Sequence, residues 1–366
     1  MSDRILVSTR KGLFTVEREA QSWRITKADF LGDNVTLAIT DARDGTSYAA
    51  LDHGHFGVKL HRNPGNGWEE IATPAYPEKP EGLEENDMWG RPLPWSTVRI
   101  WALVPGGADQ PGVIWCGTLP GGLFKSSDRG ANWQMVRSLW DHPMRKQWMG
   151  GGADLPGIHS ILVDPRNSRQ ISIAVSTGGV WHSDDDGVKW TLRGEGMRAE
   201  YAPPEAARDP IGQDVHCLAQ CRGAPDRMWV QHHNGIFVSD DCGRTFREIE
   251  NVKPSVFGFP VVVHPDDPDT AWFVPEIKDE KRIPVGGKLV LTRTRDGGKT
   301  FETLSEGLPQ EHAYDVVYRH ALDIDTFGSR LVMGSTTGGL WVSEDEGDSW
   351  AMISHTLPPI YATRFG

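Results

Sequence analysis

The chain has 366 residues and a formal net charge of −12, with 38 Lys and Arg against 50 Asp and Glu. This negative surface would repel a phosphate backbone, so nucleic acid is not an expected partner. The first residues carry no apolar signal segment, no stretch is long enough to span a membrane, and four cysteines are few for a secreted chain of this size, so we expect a cytoplasmic protein without a membrane partner.

The N-terminal segment predicts an incomplete unit of β-structure. Residues 5–8 and 13–16 alternate as two strands, and residues 16–23 form a degenerate copy of a turn motif that recurs along the chain, of which only the final Trp23 is kept. No strand precedes residue 5 that could serve as the innermost strand of this unit. A second degenerate copy of this motif, residues 61–68, keeps Gly65 and Trp68 and has Asn63 in place of Asp.

Farther along, an eight-residue motif occurs five times, with the pattern Ser/Thr-x-Asp-x-Gly-x-x-Trp/Phe. Each residue type suits a tight turn, because an Asp carboxylate accepts hydrogen bonds from nearby backbone N–H groups and Gly adopts positive φ angles. The aromatic residue starts the following strand and supplies apolar surface to bury. We therefore expect the five aspartates to brace turns and not to catalyse; they are Asp128, Asp185, Asp241, Asp296 and Asp345.

The spacing of these repeats predicts the architecture. With the two weaker copies there are seven units in the chain, or about 52 residues for each, which suits four short strands and their loops. We predict an all-β protein, a single seven-bladed β-propeller over residues 1–366. Residues 360–365 form a last strand, so the first blade consists of about residues 4–30 plus 359–366, and the C-terminal strand closes the ring.

The motif resembles the Asp-box, or BNR repeat, of the sialidase-like superfamily of β-propellers. The resemblance implies that each turn joins the third and fourth strands of a blade, on the face away from the ligand site. It does not extend to the sialidase catalytic residues, because the Arg-Ile-Pro sequence at residues 282–284 falls in the sixth unit and not in the first. In size and repeat the chain is also similar to the propellers of photosystem II assembly factors.

Three long inter-blade loops, residues 73–94, 141–157 and 194–213, are expected to surround the mouth of the channel, where ligands bind in folds of this kind. Arginines in the first two loops could clamp an anionic group, and their tryptophans could stack on a sugar ring. The Gly-rich run 150–152 would let backbone approach a ligand or a neighbouring blade. The candidate substrate-binding residues are Trp89, Arg91, Arg145, Trp148, His232, His233 and Tyr314.

Histidines and carboxylates mark the same mouth. His159 and His216 begin the inner strands of two adjacent blades, and with Asp154 and Asp214 they are the candidate catalytic residues. Glu276 and Asp315 are further carboxylates expected near this mouth. Imidazoles and carboxylates that converge can also bind a divalent metal ion, although no spacing here is a metal-binding signature. The tentative metal ligands are His159, His216, His53 and His55.

Three functions remain open at this level. The first is a hydrolase or lyase directed at a small molecule or carbohydrate, with a His/Asp pocket at the channel mouth and possible dependence on a divalent metal. The second is a non-catalytic binding or assembly scaffold. The third is a sialidase-type glycoside hydrolase, for which the missing arginine arrangement is unfavourable.

Overall fold

The computed structural model describes residues 2–87, 89–151, 154–279 and 281–366. Its described residues form seven four-stranded antiparallel sheets arranged in a ring, with almost no helix. The predicted all-β, seven-bladed propeller is therefore confirmed.

Each blade is built from consecutive strands, apart from the first, which also takes the last strand of the chain. The first blade contains β1 (Arg4–Thr9), β2 (Gly12–Glu19) and β3 (Ser22–Asp29). The second contains β4 (Val35–Thr40), β5 (Ser47–Asp52), β6 (Val58–Asn63) and β7 (Glu69–Ile71). The third contains β8 (Arg99–Pro105), β9 (Ile114–Leu119), β10 (Leu123–Ser126) and β11 (Gln134–Met135). The fourth blade contains β12 (Ile158–Val163), β13 (Ile171–Val175), β14 (Gly179–Ser183) and β15 (Thr191–Arg193). The fifth contains β16 (Val215–Gln220), β17 (Met228–His232), β18 (Ile236–Ser239) and β19 (Arg247–Ile249). The sixth blade contains β20 (Gly258–Val263), β21 (Ala271–Pro275), β22 (Leu291–Thr294) and β23 (Glu302–Leu304). The seventh contains β24 (Leu322–Ile324), β25 (Leu331–Gly334), β26 (Leu340–Ser343) and β27 (Ala351–Ser354). The last strand of the chain, β28 (Ile360–Phe365), belongs to the first blade.

In the described residues, helical structure is confined to short turns in the loops. One four-residue α-helix, α1 (Arg137–Trp140), precedes a 3-10 turn at Pro143–Gln147. The remaining 3-10 turns of the described chain are Gly54–Phe56, Pro210–Gly212 and Val285–Gly287.

The ring closes through β28, as the sequence predicts. This strand pairs antiparallel with β1, in a register that places Ile5 opposite Phe365 and Val7 opposite Thr363. It thereby supplies the inner strand that the N-terminal segment lacks. The seven inner strands contact one another in order around the channel, and β28 touches both β4 and β24.

Antiparallel pairing divides the loops between two faces. The inter-blade loops and the loops between second and third strands share one face, which we call the channel mouth. The connections between first and second strands and between third and fourth strands share the opposite face. The repeated motifs lie between third and fourth strands, for example between β14 and β15, and are therefore on the face opposite the mouth.

The hydrophobic core lies between neighbouring blades. Trp115 of the third blade and Trp181 of the fourth are fully buried in one cluster, and Trp272 and Trp341 pack together between the sixth and seventh. Each blade therefore buries an apolar face only against its neighbours, which explains why the repeats fold as a closed ring.

The repeated turns share one hydrogen-bonding arrangement. In the fourth blade, Oδ1 of Asp185 accepts hydrogen bonds from the backbone N–H of Lys189 (2.8 Å) and from the hydroxyl of Ser183 (2.9 Å). That hydroxyl oxygen accepts a bond from the N–H of Gly187 at 2.8 Å, and Gly187 has a φ of 86°. The other four motifs repeat these contacts.

We expect Asp296→Ala to destabilise the fold by about 1–3 kcal/mol, because it removes a charged acceptor from its turn. Hydrogen bonds from the side chain and backbone N–H of Thr300 hold the pKa of Asp296 down at about 2. Thermal unfolding at neutral pH measures the effect. Glu205→Ala, which removes an exposed loop carboxylate, is the control and should leave the unfolding temperature unchanged. Equal unfolding temperatures for the two variants would show that the turn carboxylate contributes nothing.

Candidate functional site

Three side chains of the fifth blade meet at the channel mouth. Asp214 immediately precedes β16, His216 is the second residue of that strand, and His233 immediately follows β17. Oδ2 of Asp214 lies 3.7 Å from Nε2 of His216 and 3.5 Å from Nδ1 of His233. Among the described residues, this is the one group of three or more His, Cys, Asp or Glu whose potential ligand atoms all lie within 4.8 Å of one another.

The outer nitrogens of both imidazoles are held by acceptors. Nδ1 of His216 lies 2.7 Å from the carbonyl oxygen of Gly258, and Nε2 of His233 lies 3.0 Å from Oδ1 of Asp279. Because a carbonyl or a carboxylate can only accept, these two nitrogens carry the ring protons when the imidazoles are neutral. The other nitrogen of each ring then presents a lone pair to Asp214.

Aromatic rings line this group. Phe259 stacks on the His216 ring with a centroid separation of 4.8 Å. The Phe257 ring meets His216 and His233 edge-on at 5.5 and 5.6 Å, and the Tyr201 ring meets His233 edge-on at 5.4 Å. These walls reduce the access of water to the polar atoms and strengthen their electrostatic interactions.

Asp214 is a buried carboxylate. Its exposed fraction is 6%, and burial alone would raise its pKa, but the neighbouring imidazoles of His216, His232 and His233 lower the pKa well below its ordinary value. The group is therefore ionised at neutral pH. Its Oδ1 atom is buried and has no hydrogen-bond partner among the described residues.

The loop 141–157 of the fourth blade reaches this carboxylate. A Cβ atom on Gly151 would lie 2.4 Å from Oδ1 of Asp214 and 2.6 Å from the hydroxyl of Thr177, so no larger residue fits without a shift. This contact agrees with the expected role of the Gly-rich run in letting backbone approach a neighbouring blade. Gly152, in the same run, lies outside the described residues.

Glu276 is a second buried carboxyl group at the mouth. It directly follows β21, its backbone N–H donates to the carbonyl of Phe257 (2.8 Å), and its Oε1 accepts from the N–H of Val317 at 3.2 Å. Burial raises its pKa to about 8, and the nearby Asp315 adds to the effect. Glu276 is therefore mostly protonated at pH 7, while Asp214 is ionised.

Arg145 and Trp148, the substrate-binding candidates of the second long loop, contact protein side chains away from Asp214. Arg145 is almost buried: it forms an ion pair with Glu85 at 2.8 Å and lies 3.9 Å above the Trp140 ring. Trp148 is 7% exposed and packs edge-on against Trp181 in the core between the third and fourth blades. Arg145 therefore links the two loops, and Trp148 anchors the second loop to the core. In the described chain, neither side chain forms a hydrogen bond or an ion pair with Asp214.

Asp154 and the residues of the first loop form an exposed ion-pair cluster. Arg91 contacts Asp87 at 2.6 Å and Asp154 at 3.4 Å, and the side chain of Asp154 is 77% exposed. Trp89 beside them is 69% exposed. The structure thus places Asp154 with Arg91 and not with a histidine.

The other predicted histidines lie outside the group around Asp214. His159 begins the inner strand of the fourth blade but is buried in the channel wall, where its Nδ1 is 2.9 Å from the Ser160 hydroxyl and burial lowers its pKa well below the ordinary value. His53 and His55 belong to the turn between β5 and β6 in the second blade, and the His55 ring lies against Phe56.

His232 and Tyr314 also differ from each other in exposure. His232 is fully buried, its Nδ1 accepts the N–H of Asn234 at 3.0 Å, and burial lowers its pKa to about 3. Tyr314 is 59% exposed in the loop before the seventh blade. Tyr314 is accessible to a ligand, whereas His232 supports the turn that carries His233.

Sequence reasoning did not single out Phe257, Phe259 or Asp279. Phe259 is the second residue of the inner strand β20, the same strand position that His159 and His216 occupy in β12 and β16. Aligning the starts of the inner strands would have identified it. Asp279 carried no comparable signal in the sequence. Its hydrogen bond to His233 forms only because a loop of the sixth blade reaches the fifth blade.

No protein-family model matches the chain. Among curated proteins, it is 25% identical over 284 residues to a probable oligoxyloglucan-reducing end-specific xyloglucanase of Neosartorya fischeri, covering 70% of this chain and 32% of that protein. It is 26% identical over 223 residues to the oligoxyloglucan-reducing end-specific xyloglucanase of Emericella nidulans, covering 56% of this chain and 24% of that protein. The chain therefore spans about a third or less of these relatives' length.

Solved structures share the propeller fold. The GH74 xyloglucanase of Xanthomonas campestris superposes with a TM-score of 0.64 at 19% identity, over 96% of this chain and 52% of that one. YCF48 from Cyanidioschyzon merolae superposes with a TM-score of 0.54 at 14% identity, over 94% of this chain and 96% of that one. YCF48 bound to D1 peptide gives 0.54 at 12% identity, over 90% and 84% of the two chains. At these identities the likeness shows the fold.

Within the part of the chain that the structure describes, no helix has the length and apolar character needed to cross a lipid bilayer.

Proposed function

We propose that this chain is a carbohydrate-directed hydrolase or lyase that acts at the channel mouth, on the face opposite its repeated Asp turns, which we take to be Asp-boxes. The observation that carries the proposal is the convergence of Asp214, His216 and His233 in one aromatic-walled pocket. The similarity to xyloglucanases supports a β-glucan oligosaccharide as the substrate class. Exposed aromatic rings near the mouth, Tyr201, Tyr314 and Trp89, are suitable for stacking on sugar rings.

The two carboxyl groups suit opposite roles in proton transfer. Asp214, ionised, and the imidazoles beside it can accept a proton from an attacking water or from the sugar. Glu276, whose pKa is raised to about 8, can donate a proton to a leaving oxygen at neutral pH. Environments that push two carboxyl pKa values apart are typical of acid–base pairs in enzymes that cleave glycosidic bonds. The same three side chains are also the ones in the described chain that could hold a divalent ion.

Incubation of the purified chain with oligoxyloglucans should release new reducing ends, detected by mass spectrometry. We expect Asp214→Asn and Glu276→Gln each to lower the rate by about 100-fold or more, as the loss of a general base or acid does. Glu81→Gln, which changes an exposed carboxyl group in the 73–94 loop, should retain the parent rate. Absence of cleavage across a panel of β-glucan oligosaccharides would refute the proposal for this substrate class.

A fluorogenic sialoside serves as the negative substrate in the same assay. We expect background signal, because the arginine of the Arg-Ile-Pro sequence, Arg282, lies over the Phe259 ring at 5.7 Å in the sixth blade, whereas the sialidase motif belongs to the first blade. Turnover of the sialoside would instead support the sialidase-type alternative.

A second candidate is a non-catalytic binding or assembly module. It is favoured by one observation: the chain matches YCF48 over most of that protein's length, 96% and 84% in the two structures, but only about half of the bacterial xyloglucanase. Such a module would bind a partner at the mouth without turnover. Binding of an extended peptide that Tyr314→Ala weakens, together with no cleavage of any glycan, would support this alternative.

A further inference from the structure

We infer that Asp214, His216 and His233 are the protein ligands of a divalent transition metal ion of the Zn²⁺ type. The inference concerns the pocket of the proposed function and depends on that function only for the use of the ion in catalysis. It replaces the ligand set expected from sequence, keeping His216 and substituting Asp214 and His233 for His159, His53 and His55.

The first argument is the direction of the hydrogen bonds, that is, which ring nitrogen of each histidine donates. Gly258 fixes the ring proton of His216 on Nδ1, and Asp279 fixes that of His233 on Nε2. When both imidazoles are neutral, two lone pairs and the carboxylate of Asp214 therefore face one another with no hydrogen between them. Three acceptors in a buried pocket repel each other unless a cation lies among them.

The distances are the second argument. The separations of 3.5 and 3.7 Å from Asp214 Oδ2 to the two nitrogens are longer than an N–H···O hydrogen bond, which is about 2.7–3.2 Å. Ligand atoms held at about 2.0–2.1 Å around a tetrahedral Zn²⁺ lie roughly 3.4 Å apart. The spacing thus leaves room for an ion and is too wide for direct hydrogen bonds.

The surroundings of the ligands are the third argument. Histidines that bind metals almost always donate their other ring N–H to a backbone carbonyl or a carboxylate, which orients the ring. Gly258 and Asp279 supply one of each. Asp214 also has a buried oxygen, Oδ1, without a hydrogen-bond partner in the described chain.

The donor set indicates the class of ion. Two imidazoles and one carboxylate favour Zn²⁺ and its neighbours in the first transition row over Ca²⁺ or Mg²⁺, which prefer oxygen ligands. Three protein ligands leave a position open for water or a substrate hydroxyl, as in catalytic zinc sites. With an ion bound, these three groups would no longer accept a proton, and the ion would instead lower the pKa of a water in the open position toward neutrality. Glu276 in the same mouth could still supply a proton to the leaving group.

The test is a titration of the full chain, without an affinity tag, after removal of metals with a chelator. We expect Zn²⁺ to bind with a stoichiometry of one by calorimetry, and Co²⁺ to give the visible absorption of a tetrahedral or five-coordinate site. His233→Ala, His216→Ala and Asp214→Asn should abolish binding or weaken it by far more than tenfold. Asp279→Asn, which changes only the group that orients His233, should weaken it by about 10- to 100-fold.

His55→Ala is the matched control, because it removes an exposed histidine in the second blade and should leave the affinity unchanged. Circular dichroism of each variant separates loss of the ion from loss of the fold, and the partly exposed His233 makes its variant the one expected to retain the fold. Failure of Zn²⁺, Co²⁺, Ni²⁺ and Mn²⁺ to bind the parent protein, or equal binding by the Asp214, His216 and His233 variants, would overturn the inference. Metal binding without glycan cleavage would overturn the proposed function alone, and full cleavage by metal-free protein would overturn only the use of the ion in catalysis.

Discussion

Removal of residues 358–366 should abolish cooperative folding. The truncation deletes β28, which pairs with β1 and contacts β4 and β24, so the first blade loses its inner strand and the ring opens. Ile360 and Thr363 are fully buried, and Ile360 packs with Val332 and Leu340 of the seventh blade. The loss is expected to exceed the roughly 5–15 kcal/mol that stabilises a typical domain.

Thermal unfolding followed by circular dichroism, together with gel filtration, measures the result of the truncation. Ile360→Ala provides a graded comparison, because it keeps the pairing of β28 and should cost only about 2–5 kcal/mol through the cavity it leaves. A truncated chain that unfolds cooperatively at the parent temperature would contradict the role of β28 in closing the ring.

Replacement of Glu276 by Gln should remove the loss of stability that the parent protein shows between about pH 4.5 and pH 8. Burial raises the pKa of Glu276 from the ordinary 4.5 to about 8, so the folded state holds a proton that the unfolded state releases. The stability associated with this proton is complete below about pH 4.5 and is lost as the pH rises to about 8, at up to about 1.4 kcal/mol per pH unit. Over the interval from pH 4.5 to about pH 8 the total is about 5 kcal/mol, one of the largest single-residue effects expected here.

The measurement for Glu276 is the free energy of unfolding between pH 5 and pH 9. Subtracting the free energy of unfolding of the parent from that of Glu276→Gln cancels the contributions of all other titrating groups. This difference should grow in favour of the variant as the pH rises toward 8 and then level off. Glu81→Gln, at an exposed site, should follow the parent at every pH. Parallel curves for parent and Glu276→Gln would mean that Glu276 is ionised in the folded protein at neutral pH.

These predictions test different parts of the molecule. The truncation concerns ring closure, and the Glu276 titration concerns the protonation state of one carboxyl group at the mouth. The Glu276 result bears on the proposed function independently of any substrate, because a carboxyl group ionised at pH 7 could not serve as the general acid.

The architecture could be predicted from the sequence because its signals are local. Each repeated turn is specified by residues within eight positions of one another, and the strand predicted at residues 360–365 is β28 itself. Likewise, the inner strand of the fifth blade covers Val215–Gln220, as the alternation of its side chains indicates. Local turn chemistry and side-chain periodicity do not depend on how the blades meet.

The candidate site was only partly accessible from the sequence. The position of His216 at the start of an inner strand and of His233 after a second strand placed both at the mouth. Their convergence on Asp214 depends on where each blade lies around the ring. For the same reason His55, in the second blade, is not part of the Asp214 group. Sequence spacing sets the strand on which a side chain lies but not its distance from side chains of other blades.

The sequence by itself determined the number of blades, the closure by the C-terminal strand and the face on which the histidines lie, because hydrogen bonds and apolar periodicity within each repeat encode them. Only the tertiary structure decided which polar groups meet. It buries Trp148 against Trp181, pairs Arg145 with Glu85, and brings Gly151 of the fourth blade and Asp279 of the sixth to the Asp214 group of the fifth. Those contacts join loops of different blades, so their geometry arises only when the ring is closed.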